Sequence, residues 1–349
     1  KRNAFVCGWG MILAYWSLIP LNATALALIS RYLFPGIIQQ GLLYQVAGWD
    51  VYAGEVILAS AFIIIMAIIN IRGIKQAAWL QTAIALTLVG CILIDTFLVM
   101  GTADWANLEP GFPDGRRWWK GVFSIVAMAP WAFIGFDCIP QSAEEYNFSH
   151  KKSTGIMISA ILVAAVLYIA VCTVTATGLK PWQELLADRN NWPTGHVVRN
   201  TIGLTGIITL GIAMFCAVVS GMNAFYISTS RLMYAMAKEG SLPAWFGHLS
   251  PKYGTPKKAI LFTMCASLFA PWFGREILLW IVDMTSVGAA IVFAYTTASA
   301  AIMAKRQNDR LQMWTGIAGC IFSLFFLSLL IIPGMPGYLS FQSRIVLHA

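Results

Sequence analysis

The sequence predicts an all-α polytopic membrane protein. Three observations support this class: the composition, the long apolar runs and the positions of the basic residues. Hydrophobic residues make up 58% of the 349 positions and charged residues 11%, with a mean hydropathy of +0.71. Roughly a quarter of the residues of a soluble domain are charged. A water-soluble fold is therefore excluded. A transmembrane barrel is not indicated, because the short alternating strands that barrels need are not visible.

The apolar runs predict nine transmembrane helices, because one span needs about 20 mostly apolar residues. The spans are expected at about 4–34, 52–71, 76–100, 120–146, 154–178, 205–237, 257–274, 277–304 and 311–333. Two longer segments between spans, 101–119 and 179–204, mix acidic, basic and aromatic residues. The spans are expected to form a single transmembrane domain over residues 1–349, incomplete at both ends.

Basic residues in the short loops predict the orientation of these spans, because Lys and Arg accumulate on the cytoplasmic side of a membrane. The basic residues of these loops are Arg72, Lys75, Lys151, Lys152, Lys238, Lys252, Lys257, Lys258, Lys305, Arg306 and Arg310. All of them fall on one face of the predicted topology, which is expected to be cytoplasmic. The formal charge of +8 is explained in this way and predicts no nucleic-acid partner.

Cysteine and histidine usage predicts neither a metal site nor a cofactor. The seven cysteines lie in or beside apolar runs without CxxC spacing, and the four histidines lie in loops or at the tail. No catalytic constellation such as HExxH is present. A membrane-embedded enzyme or a channel remains the competing function class, although no catalytic or pore motif marks either.

The fourth predicted span, 120–146, is unusual because Pro130 and Pro140 flank Gly135 and Asp137. Proline removes a backbone donor and glycine loosens the chain, so this helix is predicted to break near residues 134–137. Irregular backbone at membrane depth is tolerated only against protein or a water-filled cavity. An ionisable side chain there is a functional candidate. The alternative is a kinked helix in which Asp137 bonds a neighbouring Ser, Thr or Asn.

Three motifs together resemble the amino acid–polyamine–organocation transporters, in their prokaryotic form. They are Phe-Ile-Gly-Phe-Asp at 133–137 followed by Ala-Glu-Glu at 143–145, Asn-x-x-Gly-x-Lys at 70–75, and Ser-Arg-Leu-x-Tyr-Ala-Met-Ala-x-x-Gly-x-Leu-Pro at 230–243. The resemblance covers essentially the whole length. It implies a multi-pass protein of the cell membrane with a leucine-transporter-like bundle of five-plus-five inverted repeats. The family's first two spans and its last would then be absent from this chain.

The resemblance also implies roles for the broken span. In the family, carbonyls matching Ile134, Gly135 and Phe136 receive the amine of the substrate. Exchangers of the family place an aromatic gate at the position of Trp131 and a proton-sensitive or gating acid at that of Asp137. The substrate carboxylate is bound largely by the family's first span, which is absent here. The chain is thus expected to hold part of a substrate site.

Further candidates lie outside this motif. Asn22, Phe225 and Ser286 on neighbouring spans are candidate substrate contacts, with hydrogen bonding between helices as the alternative. Glu144 and Glu145 are candidates for an inner gate, and two solvated interfacial acids are the alternative.

Two features bear on ion coupling outside the broken span. Some relatives carry a lysine in the span matching residues 83–91, whereas this stretch contains none. Coupling through a lysine is therefore not expected. Asp95, further along the same helix, is expected to be a solvated charge at the end of the span.

The sequence thus predicts a secondary active transporter that moves an amino acid or a related organic amine by alternating access. Its partners would be that substrate, the lipid bilayer, and protons or sodium, with proton symport, exchange and sodium symport all open. Protonation of Asp137 is the expected coupling event, because a carboxyl in a poorly hydrated cavity is costly to ionise.

Overall fold

The computed structural model describes residues 2–73, 77–109, 111, 117–141, 149–178 and 192–339 of the chain. In these residues the helices are α1 (Arg2–Leu33), α2 (Ala53–Arg72), α3 (Ala77–Met100), α4 (Trp118–Ala127), α5 (Ala129–Ala132), α6 (His150–Gly178), α7 (Pro193–Ile202), α8 (Leu204–Lys238), α9 (Lys257–Ser267), α10 (Glu276–Arg306) and α11 (Arg310–Ile331). Short 3-10 turns occur at Trp105–Leu108, Phe136–Cys138, Ala244–Gly247 and Ala270–Phe273. The two strands are β1 (Leu42–Val46) and β2 (Trp49–Tyr52).

Seven helices of the described ranges are long and apolar enough to cross a membrane, namely α1, α2, α3, α6, α8, α10 and α11. They confirm the all-α polytopic class. With 32 and 35 residues, α1 and α8 exceed the roughly 20 that an apolar layer requires, so they tilt or extend beyond it. The two other predicted spans, 120–146 and 257–274, are each divided by irregular backbone. In the second, α9 ends at Ser267 and a 3-10 turn follows at Ala270–Phe273.

A β-hairpin between α1 and α2 was not expected from the sequence. Strands β1 and β2 pair antiparallel, and they turn at Ala47 and Gly48, whose φ angles are 49° and 81°. Two consecutive positive φ angles define the tight turn that matches the twist of paired strands. The strands have five and four residues, too few for an alternating pattern to stand out between two apolar runs.

Hydrogen bonds bring together the segments that the sequence places on a common face. The Thr255 hydroxyl donates to the Ile71 carbonyl at 2.7 Å, which joins the end of α2 to the loop before α9. At the other ends of the helices, the Tyr44 hydroxyl of β1 donates to the Trp272 carbonyl at 2.7 Å. The two sets of loops are therefore arranged as the alternating spans require. Which face is cytoplasmic stays a prediction.

Helix α1 forms the centre of the bundle, because α2, α8 and α10 all pack against it. The core contains fully buried Tyr15 and Ile19 from α1, Ile63 from α2, and Met222 and Tyr226 from α8. The Tyr226 hydroxyl donates to the Ile63 carbonyl at 3.1 Å, so its buried polar atom is satisfied. This packing fixes α1 beside α8, which is the arrangement that the candidate site needs.

A buried ion pair links the end of α1 to the start of α2 and contacts the hairpin between them. Arg31 donates to both carboxylate oxygens of Glu55, at 2.5 and 2.8 Å, and to the Asp50 carbonyl at 3.0 Å. Its guanidinium also lies 4.6 Å from the centre of the Trp49 ring. The side chains of Arg31 and Glu55 are only 11% and 7% exposed. The paired geometry therefore compensates for two charges that have lost most of their water.

Glu55→Gln is expected to destabilise the protein by about 3 kcal/mol, because it leaves the Arg31 charge buried without its carboxylate. The free energy of unfolding in mixed micelles measures the effect. The control is Gln45→Ala, which removes an exposed hydrogen bond to Asp50 and is expected to change the free energy by about 0.5 kcal/mol or less. Equal losses in the two variants would contradict a stabilising ion pair.

Candidate functional site

The fourth predicted span is interrupted at two places. Helix α4 ends at Ala127, and the single turn α5 follows with Pro130 near its start. A proline is tolerated at a helix start, where its missing N–H would have no partner. The chain then turns through residues 133–135 into the 3-10 turn Phe136–Cys138. The helix thus ends earlier than the break that the sequence predicted near 134–137, and the second interruption falls at that break.

Gly135 and Asp137 hold the second interruption together. Gly135 has φ 125° and ψ −28°, a conformation that L side chains rarely adopt. Its N–H donates to Oδ1 of Asp137 at 2.8 Å. Asp137 is 8% exposed, and its Oδ2 is buried with no hydrogen-bond partner among the described residues. One oxygen of the carboxyl group stabilises the turn, and the other remains available.

The three carbonyls expected to receive an amine differ in their bonding. The Gly135 carbonyl accepts from the Cys138 N–H at 3.1 Å, and the Phe136 carbonyl accepts from the Ile139 N–H at 3.4 Å. The Ile134 carbonyl accepts no hydrogen bond from the described part of the chain. Ile134 is therefore the strongest acceptor candidate of the three.

Tyr15 brings α1 into contact with the broken span. Its hydroxyl faces Asp137, Cys138 and Gln141, yet it completes no hydrogen bond with any described residue, and the side chain is 0% exposed. Ser228 of α8 faces Cys138. Polar groups of α1 and α8 thus lie against neighbouring residues of the broken span.

Aromatic rings enclose the same region. The Phe225 ring lies 6.1 Å from that of Tyr15, and its Cζ would be 3.8 Å from a Cβ at position 135. Trp131 packs against the core cluster that contains both rings, and its indole N–H is buried without a described partner. Phe136 instead faces Phe293 of α10, at 5.9 Å between ring centres. Phe225 thus lies against the Gly135 turn, and Trp131 packs in the same apolar region.

Other predicted residues lie elsewhere. The Asn22 amide donates to the Leu18 carbonyl at 2.7 Å and lies against Gly221 of α8. Its position, two helical turns from Tyr15, corresponds to a rise of about 10 Å. Ser286 of α10 is fully buried and its hydroxyl has no described partner, while the adjacent Thr285 bonds a serine of α1. The carboxylates Glu144 and Glu145 lie outside the described residues.

Sequence reasoning missed Gln141 and Ser228. Gln141 follows Asp137 by four residues, and Ser228 follows Phe225 by three on the same helix. Residues three or four apart share a helix face, so this spacing was the available signal. It was weak, because serine and glutamine occur on many faces of these helices.

The expectation that Asp95 is a solvated charge is wrong. Asp95 is only 4% exposed, and its Oδ1 lies 2.5 Å from the Thr209 hydroxyl of α8. It lies more than one turn before the end of α3 at Met100. Packing of α8 against α3 covers a side chain whose position along the helix alone predicted exposure.

Gly135→Ala is expected to lower the free energy of unfolding by about 1–3 kcal/mol, because alanine is strained at this φ. The matched control is Gly90→Ala inside α3, where a Cβ would meet no atom within 4 Å. That change is expected to raise the free energy by about 0.5–1 kcal/mol through helix propensity. Denaturation of both variants in micelles measures the difference, and a neutral Gly135→Ala would contradict the strained turn.

Comparison with known proteins identifies the family. The amino acid permease family matches residues 1–347. The methylthioribose transporter of Bacillus subtilis (strain 168) is 29% identical over 87% of this chain and 64% of its own length. The branched-chain amino acid permease of that organism is 25% identical over 88% of this chain and 65% of its own length. Cationic amino acid transporter 4 of Homo sapiens is 28% identical over 86% of this chain and 47% of its own length.

The chain therefore spans about half to two thirds of the length of the curated relatives that it matches. The match to the family extends over almost every residue, and it confirms the resemblance seen in the three sequence motifs. The apolar helices agree with it. This multi-pass membrane protein belongs to the amino acid permease family.

Proposed function

We propose that this protein is a secondary active transporter of amino acids or related organic amines that works by alternating access in the cell membrane. One observation carries the proposal. The Tyr15 hydroxyl faces Asp137 at the irregular turn, and this hydroxyl and Oδ2 of Asp137 are both buried polar atoms without described partners. Such atoms are rare in a folded interior and indicate a ligand or water. Family membership and the relatives' transporter names support the same class.

The chemistry of the turn suits an ammonium group. An ammonium offers three N–H donors and needs oxygen acceptors, which the Ile134 carbonyl and Oδ2 of Asp137 can supply. The Phe225 ring borders the turn and the Trp131 ring packs against the same apolar cluster, and aromatic faces can add attraction to a cation. A substrate amine bound here would satisfy polar atoms that the protein leaves without partners.

The same arrangement supplies a mechanism for coupling to protons. Protonation removes the negative charge of Asp137 and with it much of the attraction for an ammonium. Proton occupancy and amine occupancy are therefore linked, and by reciprocity each shifts the other. The sign of this linkage distinguishes proton symport from exchange. The interrupted backbone next to Gly135 provides the hinge that a change between outward and inward access requires, with Trp131 as the covering ring.

Uptake assays with the purified full-length protein in proteoliposomes test this function. We expect labelled amino acids with neutral or cationic side chains to be taken up and to compete with one another. Methylthioribose, the substrate in the name of one relative, is the informative comparison because it has no amino group. Transport of methylthioribose without competition from any amine would contradict the amine site. Imposed proton and sodium gradients identify the coupling ion.

Asp137→Asn is expected to reduce uptake driven by a pH gradient roughly tenfold or more, because the amide cannot exchange a proton. The variant should still fold, since asparagine can accept the Gly135 N–H. Asp309→Asn is the matched control, because Asp309 is exposed and caps α11, where asparagine caps equally well. Unchanged pH-dependent uptake by Asp137→Asn would remove this carboxyl from the mechanism.

A further inference from the structure

A second buried carboxyl group lies between α3 and α8, away from the broken span. Asp95 of α3 is 4% exposed, and one of its oxygens lies 2.5 Å from the Thr209 hydroxyl of α8. Its other oxygen, Oδ2, is buried and has no hydrogen-bond partner among the described residues. An ionised carboxylate in this place would hold a full charge with one donor. Such a charge is costly away from water.

The Thr209 hydroxyl has more acceptors than protons. Besides Asp95, its oxygen lies 2.9 Å from the Gly206 carbonyl and 3.2 Å from the Thr205 carbonyl. A hydroxyl carries one proton but two lone pairs. If Asp95 were ionised, that one proton would be shared among three acceptors. If Asp95 carries a proton of its own, it donates to the Thr209 oxygen, and Thr209 donates to the Gly206 carbonyl. Both contacts are then satisfied.

Among the described residues, groups on the surrounding helices provide no compensating charge. On α3, Cys91 is the titratable neighbour of Asp95, and on α8, Cys216 lies near Cys91. Helices α6 and α7 also pack against α3. Beside Asp95, this contact is formed by an apolar cluster, whose buried members are Val99, Val174, Val197, Val198 and Leu210.

Three titratable side chains of α6 and α7 bond or face groups other than Asp95. The His196 ring bonds the Asn200 amide, and Arg199 faces Tyr32. The Tyr168 hydroxyl donates to the Ala132 carbonyl of the broken span, and Cys172 is exposed. No cation of the described ranges forms an ion pair with Asp95.

We propose that Asp95 is a second proton-binding site, and that its bound proton forms a hydrogen bond between α3 and α8, in addition to the bond that Gln81 of α3 donates to Ser220 of α8. The neutral acid donates its O–H to the Thr209 oxygen. On deprotonation the O–H bond of the acid breaks, and the proton leaves to water. The remaining carboxylate must then draw the Thr209 proton away from the Gly206 carbonyl. The α3–α8 contact, satisfied in the acid form, is thereby weakened.

Infrared spectroscopy of the full-length protein in lipid nanodiscs tests the proposal, with aspartate labelled by ¹³C at its carboxyl carbon. At neutral pH, wild type should show a label-sensitive carbonyl band of a protonated carboxyl that Asp95→Asn removes. The same band should persist in Asp137→Asn. In Thr209→Val it should shift to higher frequency, because the acid loses its acceptor. If Asp95→Asn removes no such band, Asp95 is ionised and the proposal is wrong.

Thermal unfolding provides a second readout. The folded state holds the proton, whereas the unfolded chain releases it above about pH 4. The melting temperature of wild type should therefore fall as the pH is raised from there, until the folded state also releases the proton. Asp95→Asn should lack this component of the fall, because its amide donates to Thr209 at any pH. Identical pH profiles of the two proteins would contradict the proposal. If Asp95→Asn does not fold, the frequency shift between wild type and Thr209→Val still decides the protonation state.

Discussion

The constraint on which the rest of the structure depends is that backbone polar groups in an apolar layer must find partners within the protein. Seven continuous helices of the described ranges meet it through their own backbone hydrogen bonds, apart from the position of Pro20 in α1. At Gly135 the helix is interrupted and provides no backbone acceptor for the Gly135 N–H. The carboxyl of Asp137 accepts this N–H instead. That single bond allows an irregular turn to exist beside Tyr15 and Phe225, in the centre of the bundle. The same carboxyl therefore both forms the turn and presents its second oxygen to the site.

Much of the fold could be predicted because its signals are local. Seven of the predicted spans are continuous helices in the part of the chain that the structure describes, and the Pro and Gly pattern in 120–146 indicated a break. The β-hairpin at residues 42–52 was missed because each strand is too short to establish a period. The early end of α4 at Ala127 was missed because a proline at position 130 fits both a kinked helix and the start of a new turn.

The site was less predictable because half of it is contributed by other helices. Trp131, Gly135 and Asp137 lie in one motif, whereas Tyr15 and Ser228 reach it only because α1 and α8 pack there. No spacing along the chain encodes that contact. Asp95 illustrates the same limit. Its position near a helix end predicted exposure to solvent, but α8 packs over it and buries it.

Helix α8 connects the two buried carboxyls, since it bears Thr209 beside Asp95 and Phe225 beside the broken turn. Sixteen residues of α-helix separate these positions, a rise of about 24 Å. At an effective dielectric constant of 20, two unit charges at that distance interact by about 0.7 kcal/mol, and less with salt. This energy is too small for one site to control the protonation of the other. Communication between them therefore requires movement of α8 as a rigid element against α1 and α3. Such movement would have to alter the Asp95–Thr209 contact, which the proposed proton controls, as well as the bond that Gln81 donates to Ser220.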